Sequence, residues 1–174
     1  MNVCSVRGPL TRKSLLYKNP HLNIPEIYGD PGLLISKFYT PTYIPELNNR
    51  IGVIPHHTNY DNYRNLNSNQ YHVINPTDKW ENVINSIYSC KFIISSSLHG
   101  LICSDSYNKP NIWLDEFKLM EGDFKFKDYF ASQNRSYVKI TKLEDFDEEL
   151  LYCEGNKINL DDIINAFPFK RTIE

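Results

Sequence analysis

Two glycine-rich phosphate signatures are missing from this chain. Neither Gly-x-Gly-x-x-Gly nor Gly-x-x-x-x-Gly-Lys-Ser/Thr occurs, which argues against dinucleotide or nucleoside-triphosphate binding of those kinds. No Cys-x-x-Cys pair occurs either. The four cysteines, Cys4, Cys90, Cys103 and Cys153, are widely spaced, so neither a zinc ribbon nor a disulfide scaffold is indicated, and reduced thiols are expected. His56, His57, His72 and His99 show no His-x-x-x-His spacing and no carboxylate pairing, and no metal site is expected. Charge of neither sign dominates: 19 Lys and Arg stand against 21 Asp and Glu, a net charge of -2 that offers no general attraction to nucleic acid or acidic lipid. An anionic ligand then needs a local cationic pocket. No apolar run approaches a membrane span, and the opening residues, Met1 to Arg7, lack the basic start and apolar core of a signal peptide. A soluble, cytoplasmic protein is the expectation, with a peripheral place at the membrane as its variant.

What is present is informative chiefly between Lys91 and Pro110. The apolar run Phe92-Ile93-Ile94 breaks into Ser95-Ser96-Ser97-Leu98-His99-Gly100 and resumes as Leu101-Ile102-Cys103. This reads as strand, tight serine turn and helix. A buried strand feeding a helix through small hydroxyl residues leaves free backbone N–H groups and a positive dipole end at the turn, an arrangement that holds phosphate or carboxylate. His99 falls in the first helical turn, within reach of an anion bound at the turn. The simpler alternative is that Ser96 or Ser97 only caps the helix.

The 174 residues, 41% apolar and 23% charged, suit one soluble globular domain or one half of a two-domain enzyme. Strand-like segments are expected at Val3–Val6, Ile51–Pro55, Tyr71–Asn75, Lys91–Ser95, Asn111–Leu114 and Tyr137–Ile140. Helices are expected at Leu10–Tyr17, from Pro76 through Ile87, after the serine turn, and at Phe124–Ser132, Leu143–Tyr152 and Leu160–Phe167. Thr58 to Gln70, dense in Asn, Tyr and Asp, is expected to be a long surface loop. Tyr60 and Tyr63 within it are candidates for stacking on a sugar. The alternation predicts an α/β, Rossmann-like parallel sheet with helices on both faces. Ligands of such sheets sit beyond the carboxyl ends of the strands, where Arg7, His56, His57 and the serine turn all fall.

Five blocks also carry a family resemblance: Val6-Arg7-Gly8-Pro9-Leu10-Thr11; Gly29-Asp30-Pro31; Gly52-Val53-Ile54-Pro55-His56; Ser95 to Gly100 with Asp105-Ser106-Tyr107 and Pro110-Asn111; and Phe124-Lys125-Phe126 with Asp128-Tyr129-Phe130. In order and spacing, from Val6 to about Ser132, they resemble the polysaccharide pyruvyl transferases. The resemblance implies a fold like the C-terminal domain of a type-B glycosyltransferase (GT-B). Residues 1–174 would then form a single donor-binding domain, the second half of such an enzyme, with the first half absent. It implies phosphoenolpyruvate as donor substrate with no further cofactor, and a glycan or lipid-linked sugar as acceptor. Pairing with a first-half protein, or self-association, is the further expectation, with nucleic acid excluded as a partner.

Carried over by position, Arg7 is the arginine after the domain's first strand and His99 the histidine after the serine turn. Many members place an arginine where this chain has Ser97. A donor with a carboxylate and a phosphate needs several cations and hydrogen-bond donors, which makes Arg7, Ser96, Ser97 and Lys125 the candidates to bind substrate, with His99 as candidate acid and phosphate partner and His56 as base toward the acceptor hydroxyl or a phosphate contact. The structural alternatives are a packed His99, a backbone-bonded His56 and a solvated Lys125. Two other readings stand beside the transferase: a glycosyltransferase half-domain that binds a sugar nucleotide, and a non-catalytic remnant that binds a partner.

Overall fold

The computed structural model describes residues 2–115 and 123–169. Its strands are β1 (Ile51–Ile54), β2 (Tyr71–Val73), β3 (Phe92–Ser95), β4 (Asn111–Leu114) and β5 (Lys139–Ile140). Its α-helices are α1 (Pro9–Lys18), α2 (Ile35–Phe38), α3 (Tyr60–Tyr63), α4 (Trp80–Ser89), α5 (Leu98–Ser106), α6 (Phe124–Ser132) and α7 (Leu160–Ala166). The described chain divides into two compact units, one of residues 2–31, 123–137 and 157–169, the other of residues 32–115 and 138–156. No helix among the described residues is long and apolar enough to cross a membrane.

The second unit is the expected α/β Rossmann-like sheet. All five strands run parallel in the order β2-β1-β3-β4-β5. Every residue of β1, β3 and β4 is buried, as a parallel sheet covered on both sides requires. Alternation sorts the side chains. Ile51, Val53, Phe92, Ile94, Ile112 and Leu114 face one layer, while Ile54 and Ile93 join Ile84, Ile87 and Cys90 in the other. The apolar spacing Trp80, Val83, Ile84, Ile87 folds as α4, although its first turn opens at Trp80 rather than at Pro76.

Several sequence expectations need correction. Thr58 to Gln70 is not an open loop: it winds through 3-10 turns at His57–Asn59 and Arg64–Leu66 around α3. Tyr63 is only 8% exposed, and Tyr60 and Leu66 pack beside it on the sheet. Aromatic rings among polar neighbours supply enough apolar surface to cover a strand layer. Leu143 to Tyr152 forms two 3-10 turns, Leu143–Asp145 and Glu148–Leu150, instead of one helix, and Phe146 between them is extended and stacks on Phe92 at 5.0 Å. The strand expected at Tyr137–Ile140 is the two-residue β5, and Val3–Val6 is reduced to a single bridge between Val6 and Tyr28.

The first unit is organised by a buried carboxylate. Asp128, fully buried in α6, accepts hydrogen bonds from the amides of Leu10 and Thr11, both at 2.9 Å, and from Thr11 Oγ1 at 2.6 Å. It thereby caps α1 from more than a hundred residues away in sequence, where Gly8 offers no side-chain cap. Arg7 Nε lies 3.6 Å from Asp128 Oδ2, an ion pair longer than a hydrogen bond. Gly29, at φ +138°, donates its amide to Val6 and Arg7 carbonyls, and a Cβ there would press on Ile163 of α7 at 2.5 Å. Asp128→Ala strands these donors beside Arg7, and urea unfolding is expected to record a loss of about 3 kcal/mol. Asp128→Asn, whose amide oxygen still accepts, is expected to lose less.

Burial, and then the Arg50 guanidinium, hold the half-buried His72 below its ordinary pKa of 6.5. Its ring nitrogen meets Ser86 Oγ at 3.4 Å. The unfolded chain therefore takes up the proton first on acidification, so the stability contributed by neutral His72 is complete above 6.5 and is lost as pH falls toward the lower folded value. Unfolding midpoints measured between about pH 7.5 and 5 are expected to fall with acid, and His72→Gln is expected to flatten that slope.

Candidate functional site

The chain leaves β1 outward to β2 and then crosses back to β3 on the other side, so the sheet's topological switch point lies between β1 and β3. Loops after two such strands diverge to opposite faces and open a crevice. Ile54, the last residue of β1, is in register with Ser95, the last of β3, and Ser96 N–H donates to Ile54 O at 2.9 Å. Pro55-His56-His57 and Ser96-Ser97-Leu98-His99 thus leave neighbouring strand ends together. The structure brings His56, Ser96, Ser97 and His99 to one sheet edge, as the strand order requires.

Ser95, which sequence reasoning had left without a role, ties the turn together. Its hydroxyl accepts from Ser97 N–H at 3.0 Å, donates to Ser97 O at 2.9 Å and lies 3.3 Å from Ile54 O. Ser97 is the N-cap of α5 in extended conformation, yet its side chain makes no capping hydrogen bond. The capping alternative is therefore realised by neither Ser96 nor Ser97. The first helical bond runs from Leu101 N–H to Ser97 O at 3.3 Å, so the amides of Leu98, His99 and Gly100 precede it. Ser96 is 6% exposed, and its hydroxyl has no hydrogen-bond partner among the described residues. A buried hydroxyl in that condition is costly unless a ligand or water completes it.

His99 is exposed in the first turn of α5. His56 is half-buried, its Nδ1 lies 2.8 Å from Thr58 Oγ1, and its ring lies 4.3 Å from that of His57. Hydroxyl and imidazole share one proton there, which orients the ring. Arg7 and Lys125 belong to the first unit, Arg7 beside Asp128 and Lys125 with its Nζ 5.6 Å from the Phe126 ring centre.

The second half of the serine block is structural. Asn111 Nδ2 donates to buried Asp105 at 2.6 Å, Ser106 Oγ to Leu33 O at 2.8 Å and Tyr107 Oη to Tyr39 O at 2.8 Å. These bonds fix the far end of α5 and with it the direction of its N-terminus. Asp105 and Asn111 both lie in the segments that carry the family resemblance, but nothing local in sequence distinguishes a buried pair from a solvated one.

A family model described as polysaccharide pyruvyl transferase matches residues 2–116. The chain belongs to the polysaccharide pyruvyl transferase family. That match takes in Arg7, His56 and the whole serine turn, and the family is one of transferases. The chain is also similar to uncharacterized protein L143 of Acanthamoeba polyphaga mimivirus, at 31% identity over 152 residues. The alignment covers 80% of this chain and 48% of that relative, so the chain spans about half the relative's length. No solved structure matches it.

Gly100 holds α5 close to the sheet, because a Cβ at this position would collide with Ser95 Oγ and touch Ile54 Cδ1 at 3.0 Å. Gly100→Ala displaces the hydroxyl that ties the turn. A loss of about 1–3 kcal/mol is expected in urea unfolding, and an unchanged midpoint would deny Ser95 this organising role.

Proposed function

We propose that the chain is the donor-binding part of a transferase that moves pyruvate from phosphoenolpyruvate to a glycan sugar as a ketal. The observation that carries this reading is the buried Ser96 hydroxyl, without a partner among the described residues, beside the uncapped N-terminus of α5. Family membership supports it from a second direction. Phosphoenolpyruvate bears a carboxylate and a phosphate, and the Ser96 hydroxyl with the α5 amides takes one of these anions. The resemblance assigns Arg7 to the donor as well, and charge makes Lys125 the candidate for a further cation.

The chemistry follows from the donor. His99 delivers a proton to the methylene carbon, which leaves C2 cationic and open to attack. One sugar hydroxyl adds to C2 and gives up its proton, with His56 as the base. A second hydroxyl of the same sugar then displaces phosphate from C2, so the products are the ketal and inorganic phosphate. The net exchange balances: two C–O bonds form, one C–O bond to phosphate breaks, and the two hydroxyl protons end on the methyl carbon and on phosphate.

Isothermal titration of the purified chain with phosphoenolpyruvate tests the donor site, with a sugar nucleotide as the parallel arm. Saturable binding of phosphoenolpyruvate is expected, weakened about tenfold in Ser96→Ala, the cost of one hydrogen bond to a charged group. His99→Ala is expected to weaken it as well, and Arg7→Gln reports on the cation that the resemblance assigns. Binding of the sugar nucleotide alone would replace this reading with a glycosyltransferase half-domain. Binding of neither ligand would reduce the turn to a helix start in a non-catalytic module.

A further inference from the structure

The serine turn carries no cation of its own: residues 95–100 include no lysine or arginine, nor do residues 55–58 beside them. A doubly charged phosphate at a helix start is held more firmly when a cation stands beside the amides, and the sheet itself presents one. Ser95, Trp113 and Lys139 form one row across β3, β4 and β5, and matched register in parallel strands puts all three side chains on one face. It is the face that α5 covers, because a Cβ at Gly100 would collide with Ser95 Oγ. Neighbouring strands lie about 4.8 Å apart, so Lys139 starts about 10 Å from Ser95.

From there the side chain turns back toward the turn. Lys139 Nζ stands 4.9 Å from the centre of the Trp113 ring and meets Asp115 Oδ2 at 2.5 Å. Asp115 is the first residue past the carboxyl end of β4, and its N–H donates to Ile140 O at 2.8 Å, which fixes it there. The ammonium is thereby carried from β5 to the carboxyl end of the strand next to β3, the edge from which Ser96 and Ser97 leave. The Lys139 side chain stays 34% exposed and that of Asp115 17%, so a ligand at this edge can reach the pair.

We propose that Lys139 is the cation that meets the phosphate group of the donor at the start of α5, with Asp115 as the positioning residue that aims it. Trp113 and Asp115 hold the stem and head of a flexible side chain before any ligand arrives, which lowers the entropy lost on binding. An ammonium has three donors and acts as a point charge, so one head can bridge a carboxylate and a phosphate oxygen. The buried Ser96 hydroxyl and the α5 amides supply neutral donors, and Lys139 supplies the charge. Asp115 also limits affinity, since its carboxylate competes for the ammonium and repels the dianion. That the anion is phosphoenolpyruvate rests on the proposed function; the place of the cation rests on the register of the sheet.

Isothermal titration at low salt with phosphoenolpyruvate and, separately, with inorganic phosphate tests this in the wild-type chain and four variants. Lys139→Gln is expected to weaken both ligands about tenfold, Lys139→Arg to stay within about threefold of wild type, and Asp115→Asn to bind about threefold more tightly. Lys142→Gln, which removes an exposed charge two residues beyond β5, is expected to change neither ligand. Opposite signs separate the two roles, because a pair that only held the sheet together would lose affinity when either member is changed. Urea unfolding accompanies each titration, and should Lys139→Gln fail to fold, Asp115→Asn and Lys139→Arg still carry the test. Unchanged affinity in Lys139→Gln, or weakening in Asp115→Asn, would overturn the proposal. Phosphate binding that depends on Lys139, without phosphoenolpyruvate binding, would keep the subsite and remove the donor reading. Phosphoenolpyruvate binding indifferent to Lys139 would remove the subsite alone, and binding of neither ligand would remove both.

Discussion

The parallel register that sets Ile54 beside Ser95 is the constraint on which the candidate site depends. It places the carboxyl end of β1 against that of β3 at the one point where the strand order reverses, and the bond from Ser96 N–H to Ile54 O locks the two ends together. Were the register to slip by one residue, the faces of β3 would exchange, sending Phe92 and Ile94 into the layer that now holds Ile93. That exchange would take Phe92 off the Phe146 ring on which it stacks, so side-chain fit within each layer opposes the slip.

Around this register the chain uses serines for three different tasks. Ser95 organises the turn, Ser97 begins α5 without capping it, and Ser96 is left buried without a partner among the described residues. Gly100 permits the close approach that makes Ser95 effective, and Asp105 with Asn111 anchors the other end of the same helix. The result is a helix N-terminus at the sheet edge without a side-chain cap among the described residues, the kind of end that an anion can complete.

The first unit follows a different logic. One carboxylate, Asp128, serves as the cap that Gly8 lacks, and it holds residues separated by more than a hundred positions in sequence. The candidate cations Arg7 and Lys125 both belong to this unit, and Arg7 keeps its Nε beside the carboxylate.

Hydrophobic run and turn chemistry were enough to specify the parallel α/β class, four of the five strands nearly to their ends, and the placement of His56 and the serine turn at strand termini. Those features are local: a buried parallel strand reads as a continuous apolar run, and a helix as a 3.6-residue period. Tertiary structure alone decided which serine bonds the turn, which carboxylate caps α1, and how α3 covers the sheet. It also broke the expected helix after Leu143 into two short turns, because Phe146 leaves the helical path to stack on Phe92. Each of these depends on a partner far away in the chain, and a hydroxyl, a carboxylate or a ring carries no mark in sequence of the partner it will meet.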